Sequence, residues 1–236
     1  MTESQHNQKV GLPYLIINMA MSADGKTASA NRKLHNFGSK HDLENLYKLR
    51  ATADAVMCGA RTVESPDVTL GTGGEKYKKM RIKNGLQQCH LRIVVSGSCS
   101  VKTDIPIFKS AISPLIILTT ESAPQQALEN IQRAGARLIK CGKSEIDFHK
   151  ALAILKKEWN VNRLVCEGGG MLNSALFRER LVDELYLTIC PLIIGGKNAP
   201  TIADGLGIQS IDKAINLNLI SKRKIANEMF LRFKVC

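Results

Sequence analysis

The sequence has few aromatic residues and no long hydrophobic run. Phe, Trp and Tyr make up 5% of its 236 residues, with a single Trp159, whereas proteins that stack on nucleic acid interleave aromatic and basic residues. No stretch approaches the length of a membrane span, and residues 1–12 lack the apolar core of a signal peptide. We therefore expect no nucleic-acid partner and no membrane partner, and a disordered tail over residues 1–12 followed by one domain over residues 13–236.

The sequence also lacks paired cysteine motifs and clustered histidines. Its seven cysteines are odd in number and show no C-x-x-C spacing, and its five histidines are scattered. Such a pattern indicates reduced, buried thiols in a cytoplasmic protein, and it argues against a zinc site.

The sequence has fewer acidic than basic residues. Lys and Arg number 33 against 21 Asp and Glu, which gives a net charge of +12. This balance favours anionic partners such as nucleotides, phosphorylated metabolites or nucleic acid, without choosing among them. The 44% hydrophobic content is enough to bury a sizeable core in a chain of this length.

Short apolar runs bounded by glycine alternate with amphipathic segments of ten or more residues, as in 14–21, 41–52, 53–60 and 114–169. This alternation predicts an α/β fold with a largely parallel sheet. Near the end, two alternating runs within 215–235 are separated by the letters KIANE, so we expect the sheet to finish with an antiparallel C-terminal hairpin.

The letters LVCEGGGMLN at 164–173 join a hydrophobic run to an acid, three glycines and a helical segment. Backbone N–H groups at such a helix start can bind phosphate, because they lack partners and side chains do not block the approach. The alternative, in which Gly168, Gly169 and Gly170 only form a tight turn, stays open at this point. A P-loop is excluded because no Gly-Lys-Ser/Thr follows.

Two other predicted strand ends carry similar residues. Arg61 and Thr62 follow the run AVMCGA, and Ser96 follows the run RIVV. Ligands of open α/β sheets collect at the carboxyl ends of strands. Three such ends fit one extended nucleotide better than three unrelated turns.

Four segments together carry a resemblance to a known family: NMAMSADGKTA (18–28), ADAVMCGARTV (53–63), RIVVSGS (92–98) and the stretch 164–201 that begins with LVCEGGG. In these segments the chain resembles the reductase family of riboflavin biosynthesis. The resemblance implies a dihydrofolate-reductase-like three-layer sandwich and a homodimer. It also implies NADPH-dependent reduction of a ribosylaminopyrimidine 5′-phosphate to the ribitylamino compound, by hydride transfer to C1′ of the opened ribose.

Carried over by position, the resemblance implies three groups of site residues. The expected NADPH-binding residues, including Arg61 from the strand-end argument above, are Ala20, Arg61, Thr62, Ser96, Gly168, Gly169, Gly170, Met171 and Leu172. The expected substrate-binding residues are Asn36, Asp67, Arg81 and Glu167, and the candidates for the proton donor are Asp67, Glu167 and Lys26.

The chain departs from the family pattern after Thr62. Members of the family have an Asp four residues after this Thr, followed by Pro, whereas here Pro66 precedes Asp67. We expect Asp67 to take the role after a shift of one residue. The family's later Arg for the substrate phosphate has no close match, so Lys76, Lys78 and Arg81 are the candidates, with Arg81 preferred.

Alternatives remain open on the sequence alone. A reductase of the same fold could act on a dihydropterin or another small substrate, and a basic nucleotide- or RNA-binding module would have no activity. A fused deaminase is excluded because its zinc motifs are absent. The sequence does not choose between the diamino and the deaminated pyrimidine, or between NADPH and NADH. The apolar letters LYLTICPLII at 185–194 are the expected dimer edge.

Overall fold

The computed structural model describes residues 9, 11–31, 37–65 and 68–236, and in these ranges it contains nine β-strands and seven α-helices. In chain order they are β1 Tyr14–Ser22, α1 Lys40–Arg50, β2 Ala55–Gly59, α2 Ala60–Val63, α3 Glu75–Lys83, β3 Leu91–Val95, α4 Pro106–Lys109, β4 Leu115–Thr119, α5 Gln125–Arg133, β5 Arg137–Lys140, α6 Phe148–Trp159, β6 Arg163–Cys166, α7 Gly170–Arg178, β7 Glu184–Cys190, β8 Leu217–Ile225 and β9 Glu228–Val235. None of the helices in these ranges combines the length and the apolar character needed to cross a membrane.

All nine strands form one sheet in the order β5-β4-β3-β2-β6-β1-β7-β9-β8. The first seven strands of that order pair in parallel, and β9 and β8 add an antiparallel hairpin. The predicted fold class is confirmed.

One expectation about this sheet is wrong. The segment 185–194 was expected to form a dimer edge, but β7 lies inside the sheet between β1 and β9. Its backbone groups are therefore already paired on both sides. The strands at the two edges are β5 and β8.

Helices cover both faces of the parallel part of the sheet. Along β1, Leu15 and Ile17 pack on the face covered by α6 and α7, whereas Ile16 packs on the opposite face with Leu49 of α1. Farther along, α5 covers the same face as α1 with buried residues that include Leu128. Successive residues of a strand alternate between faces, so a strand buried on both sides is apolar throughout. The result is the three-layer sandwich.

The first turn of α1 is fixed to the C-terminal hairpin. Ser39 caps the helix by accepting hydrogen bonds from the N–H groups of His41 and Asp42. The buried Glu228 at the start of β9 accepts from Ser39 N at 2.7 Å and from Ser39 Oγ at 2.5 Å. This attachment sets the position of the whole helix, including its last residue, Arg50.

Candidate active site at the carboxyl ends of four strands

Four neighbouring parallel strands end at the same edge of the sheet. In spatial order they are β3, β2, β6 and β1. Strand β2 ends at Gly59, and the other three are followed by Ser96, by Glu167 and by the turn that leads to Lys26. Neighbouring strands are separated by about 4.8 Å, so the outer two of the four lie about 14 Å apart. The structure thus brings the three predicted strand ends together in one row.

The ends of β2 and β6 are joined directly. The N–H of Gly59 donates to the carbonyl oxygen of Gly168 at 2.7 Å. A Cβ placed on Gly169 would lie 3.8 Å from Thr62 Oγ1. The hydroxyl of Thr62 therefore borders the glycine segment.

The three glycines have different surroundings. Gly168 has φ +83, and a Cβ there would lie 2.8 Å from the sulfur of Met19. A Cβ on Gly170 would lie 2.5 Å from the carbonyl oxygen of Thr201. At Gly169 a Cβ would meet nothing closer than Thr62. The fold thus requires glycine at 168 and 170, whereas the space beside Gly169 is open.

Open backbone donors surround that space. Helix α7 begins at Gly170, and the N–H groups of residues 169–172 have no hydrogen-bond acceptor within the part of the chain that the structure describes. The first later N–H to be bonded is that of Asn173, which donates to Gly169 O at 3.0 Å. Unpaired donors at the positive end of a helix dipole can bind an anionic group, which is the arrangement that the phosphate-binding prediction requires.

Glu167 is held by an arginine from α1. Arg50 Nε and Nη2 donate to the two carboxylate oxygens at 2.6 Å each, and Nη1 donates to the carbonyl oxygen of Gly71 at 2.5 Å. Both side chains are nearly buried. Burial opposes the charge on Arg50, but the carboxylate of Glu167 outweighs it and raises the pKa of the arginine above its ordinary value. The pair fixes the carboxylate at the strand end, where each oxygen can accept a further hydrogen bond.

Two thiols next to this pair are unreactive. Burial, with a further contribution from Glu167, raises the pKa of Cys58 well above its ordinary value. Burial also raises the pKa of Cys166 to about 12. Both thiols are therefore neutral at physiological pH and are unsuited to nucleophilic chemistry. All seven cysteines are free, and the described residues contain no group of three or more His, Cys, Asp or Glu that could hold a metal ion.

The remaining expected cofactor residues lie along the same edge. Arg61 is exposed in α2, and Met171 and Leu172 lie in the first turn of α7. Ser96 is buried, and its N–H donates to Leu118 O at 2.9 Å. Ala20 lies near the end of β1 and is partly exposed.

The turn between β1 and Lys26 is held by the chain itself. The carboxylate of Asp24 accepts hydrogen bonds from Ser22 Oγ at 2.6 Å, Ile194 N at 3.1 Å and Gly195 N at 2.7 Å. These bonds, that of Ser22 first, lower the pKa of Asp24 to about 2. Lys26 Nζ donates to the carbonyl oxygen of Ala199 at 3.3 Å. The turn thus connects β1 to the loop after β7.

Arg81 does not lie where a substrate phosphate could reach it. Its side chain is 1% exposed, and it donates to the carbonyl oxygens of Arg50, Ala53 and Gln87. Sequence reasoning failed here because the segment KYKKMRIK offers several basic residues at helical spacing, and only tertiary packing decides which one points inward. Arg81 holds α3 against the end of α1.

The other expected substrate residues are only partly located. Asn36 and Asp67 lie outside the described residues. Lys76 and Lys78 lie on α3, with Lys78 Nζ 2.6 Å from a carboxylate oxygen of Glu75 and Lys76 over the ring of Tyr77.

Comparison with known proteins places this chain in one family. The sequence matches the family described as the RibD C-terminal domain over residues 13–231. It is 32% identical to the 2,5-diamino-6-ribosylamino-4(3H)-pyrimidinone 5′-phosphate reductase of Aquifex aeolicus, over 89% of this chain and 90% of that protein. It is also 32% identical to the Archaeoglobus fulgidus protein of the same name, over 82% of this chain and 87% of that one.

Solved structures agree on the fold. A pyrimidine reductase-like protein from Corynebacterium diphtheriae superposes with a TM-score of 0.78 at 22% identity, covering 97% of this chain and 94% of that one. RibD of Acinetobacter baumannii superposes with a TM-score of 0.77 at 19% identity and covers 96% of this chain, which spans 58% of that longer protein. The class is thus an α/β domain with the fold of the RibD reductases. The chain belongs to the RibD C-terminal domain family, which confirms the resemblance noted from its motifs.

Proposed function

We propose that this protein is an oxidoreductase that uses NADPH to reduce 2,5-diamino-6-ribosylamino-4(3H)-pyrimidinone 5′-phosphate to its ribitylamino product. One observation carries the proposal: open N–H groups at the start of α7 border Thr62 in the row of strand ends. Membership of the RibD C-terminal family and the names of the relatives at about one-third identity support the reaction and the diamino substrate.

The residues at the strand ends fit a dinucleotide. In this proposal the N–H groups of residues 169–172 bind a phosphate of NADPH, and Thr62, Arg61 and Ser96 bind along the ends of β2 and β3. The open space at Gly169 supports close approach of a phosphate to the backbone. Ala20 and the turn at Lys26 border the nicotinamide end.

Bound NADPH would supply a hydride from C4 of its nicotinamide to C1′ of the opened ribose. The chain has two tasks: to hold C1′ in line with that carbon and to exclude water. One proton completes the reduction, so that the substrate gains two hydrogens and NADP⁺ is formed. Asp67, Glu167 and Lys26 remain our candidates for the proton path.

Glu167 is proposed to bind the substrate. Its pairing with Arg50 leaves the carboxylate fixed as an acceptor, which suits hydrogen bonds from a pyrimidine amino group or a sugar hydroxyl. Asn36 and Asp67 are proposed to bind the substrate as well. Because Arg81 is enclosed, the phosphate contact falls to Lys76 or Lys78 on the surface of α3.

The absorbance of NADPH tests the proposal directly. The protein is mixed with NADPH and the diamino substrate, and we expect substrate-dependent loss of the reduced nicotinamide and a product heavier by two hydrogens. Two comparison assays replace the diamino substrate with the deaminated substrate or with a dihydropterin. A third assay replaces NADPH with NADH. Oxidation with the dihydropterin alone would favour the same-fold alternative. No oxidation with any substrate would favour the non-catalytic alternative, which no observation on the structure supports.

We also propose that the protein is a homodimer, as the resemblance implies, and that it works in the reducing cytoplasm. The edge strand β8 supports the dimer, because Leu217, Leu219 and Ile220 are exposed at its apolar end. An exposed apolar edge strand is a surface that pairs with another chain. We expect Leu219→Lys to shift the sedimentation of the protein toward monomer, whereas Lys222→Gln leaves it unchanged. If the wild-type protein sediments as a monomer, the homodimer proposal is refuted, whereas the proposed reductase activity is not affected.

A further inference from the structure

The last turn of α1 carries two side chains that contact other parts of the candidate substrate site. Tyr47 and Arg50 stand at positions i and i+3 of the helix, a spacing that puts both side chains on one face. The guanidinium carbon of Arg50 lies 5.5 Å from the centre of the Tyr47 ring. The two side chains therefore act as one unit, the Tyr47–Arg50 pair.

Arg50 connects two segments that are far apart in the sequence. Its Nε and Nη2 hold both carboxylate oxygens of Glu167, and its Nη1 donates to the carbonyl oxygen of Gly71 at 2.5 Å. Gly71 belongs to the segment 70–74, which stands between Asp67 and helix α3 in the sequence. A planar guanidinium holds its donors at fixed angles, so a displacement of either acceptor disturbs the bonds to the other.

Tyr47 contacts the other end of the segment 70–74. Gly73 has φ +86, and a Cβ placed there would lie 2.3 Å from the tyrosine ring, so the glycine backbone packs directly on that ring. The centres of the Tyr47 and Tyr77 rings are 5.2 Å apart, a favourable distance for an aromatic pair. Tyr77 is buried near the start of α3. Tyr47 thus attaches both the segment and α3 to α1.

His90 holds the same segment at a third point. Its Nε2 donates to the carbonyl oxygen of Leu70 at 2.8 Å, and Leu70 is 1% exposed. The segment is therefore attached at residues 70, 71 and 73. The Tyr47–Arg50 pair provides two of these three attachments, and it alone of the two also contacts Glu167.

The groups proposed to bind the substrate come from separate parts of the chain. Glu167 follows β6, Asp67 precedes the segment 70–74, and Lys76 and Lys78 lie on α3. They bind one molecule only if their separation is fixed, since a misplacement of about 1 Å can slow an enzyme about 100-fold. The Tyr47–Arg50 pair is the contact between Glu167 and the segment that leads to α3.

We propose that Arg50 and Tyr47 are positioning residues for the reduction. Arg50 fixes the carboxylate of Glu167 and the segment 70–74 relative to each other, and Tyr47 fixes the start of α3. Neither side chain contacts the substrate. This inference rests on the proposed function and adds to it the two residues that set the distance between Glu167 and α3.

Arg50→Lys tests the first half, because it keeps the positive charge but loses the planar set of donors. We expect kcat to fall about 30-fold and KM for the diamino substrate to rise about five-fold. NADPH affinity should stay within about two-fold, because Arg50 makes no hydrogen bond to the start of α7. Wild-type values of kcat and KM would overturn the role of Arg50.

Tyr47→Leu tests the second half. Tyr47 attaches α3 and the segment 70–74 but forms no hydrogen bond with Glu167, so KM should rise about five-fold while kcat stays within about two-fold. A fall in kcat equal to that of Arg50→Lys would overturn this division of roles.

Arg92→Lys is the matched control for a loss of stability. Arg92 is 3% exposed, and its hydrogen bonds with described residues go to backbone carbonyl oxygens at 107, 110 and 113, in and next to α4. The same substitution there should destabilise the fold without changing kcat or KM. Equal changes in Arg92→Lys and Arg50→Lys would mean general loosening and would overturn the proposal.

A double variant shows whether Arg50 lowers kcat through Glu167. Once Glu167→Gln has removed the carboxylate, adding Arg50→Lys should lower kcat by less than about two-fold, because residues that act through one group are not additive. A further fall of about 30-fold would show that the two residues act independently and would overturn the positioning role of Arg50.

Hydrogen exchange of α3 gives a readout that does not need activity. The N–H groups of Tyr77 and Lys78 donate to the carbonyl oxygen of Gly74 at 3.1 and 3.2 Å, so exchange in α3 reports opening of its attachment to the segment 70–74. We expect faster exchange there in Arg50→Lys and also in Glu167→Gln, which is distant in the sequence, but not in Arg92→Lys.

The two readouts separate this inference from the proposed function. A wild-type protein that oxidises no NADPH would overturn the proposed function, whereas unchanged exchange of α3 in Glu167→Gln would overturn the coupling itself. Faster exchange in Arg50→Lys with wild-type kcat and KM would overturn the positioning role and leave the reductase activity in place.

Discussion

Two Arg–Glu pairs of this protein share the same geometry but differ in what surrounds them. Arg50–Glu167 lies at the carboxyl ends of the parallel strands, with side chains that are 8% and 11% exposed. Arg232–Glu184 lies in the antiparallel part of the sheet, and there the arginine is 39% exposed while the glutamate is buried. Both pairs are bidentate.

The difference shows what each half of the sheet can do. Arg50 also donates from Nη1 to Gly71 O, so the nearly buried pair fixes both a loop and a carboxylate at the strand end. Arg232 keeps an exposed edge that lines a cavity between α1 and β8. Helices enclose the parallel half and fix its site, whereas the uncovered hairpin leaves cations available for binding.

The largest effect is expected from breaking the buried pair. Arg50→Ala leaves Glu167 and the carbonyl of Gly71 without partners in a nearly water-free site, so the free energy of unfolding should fall by about 3–5 kcal/mol. Arg232→Ala is the matched control, because Glu184 keeps the hydrogen bond from the hydroxyl of Tyr14 and the arginine that is removed is 39% exposed. It should cost about 1–2 kcal/mol. Urea unfolding of both variants measures the difference, and equal losses would contradict the comparison.

The second prediction separates the pairs by function. Glu167→Gln should slow turnover about 100-fold through loss of a fixed acceptor for the substrate, with NADPH affinity nearly unchanged. Glu184→Gln removes a bidentate acceptor in the same way but far from the strand ends, so turnover should stay within about two-fold. Turnover and NADPH affinity are measured for both. If Glu184→Gln slowed turnover as much, general loosening of the fold would explain both results.

The third prediction concerns acid. His90 Nε2 lies 2.8 Å from Leu70 O and donates to it, while Nδ1 is buried without a partner among the described residues. Burial, and then the charge of Arg50, lower the pKa of His90 from 6.5 to about 3. Between about pH 3 and pH 6.5, His90 is therefore protonated in the unfolded chain but neutral in the folded chain.

Stability should consequently fall as the pH drops below 6.5, by about 1.4 kcal/mol per pH unit from this group. His90→Gln should flatten that part of the profile, whereas His149→Gln, an exposed control, should not. Urea unfolding from about pH 7 to about pH 5 provides the measurement. Parallel profiles for the wild type and His90→Gln would show that His90 does not carry the effect.

The sequence predicted the strand-end site because its signals are local. Glycines after an acid and a threonine after a strand can be recognised within a window of ten residues. The carboxyl ends of parallel strands lie at the same edge of the sheet. Arg50 was missed because its partner Glu167 is 117 residues away and its helix looks like any other basic amphipathic segment. The one available signal was its position next to the buried Leu49 at the end of α1.

Arg81 and β7 show the same limit. Which cation of α3 turns inward, and which apolar strand lies at an edge, depend on strand order in the sheet and on packing between distant segments. Neither follows from periodicity. The hairpin itself was predicted, but not that its uncovered face would form a groove with α1.

The smallest effect concerns the glycines that begin α7. Gly169→Val places its Cβ in the open space 3.8 Å from Thr62 Oγ1, so the fold should persist while NADPH affinity falls about ten-fold or more. Gly170→Val is the matched control, since its Cβ would overlap the carbonyl oxygen of Thr201 and should lower the melting temperature instead. Fluorescence titration with NADPH and thermal unfolding separate the two variants. Unchanged NADPH affinity in Gly169→Val would remove the backbone N–H groups of residues 169–172 from the cofactor site, even if the protein still reduced its substrate.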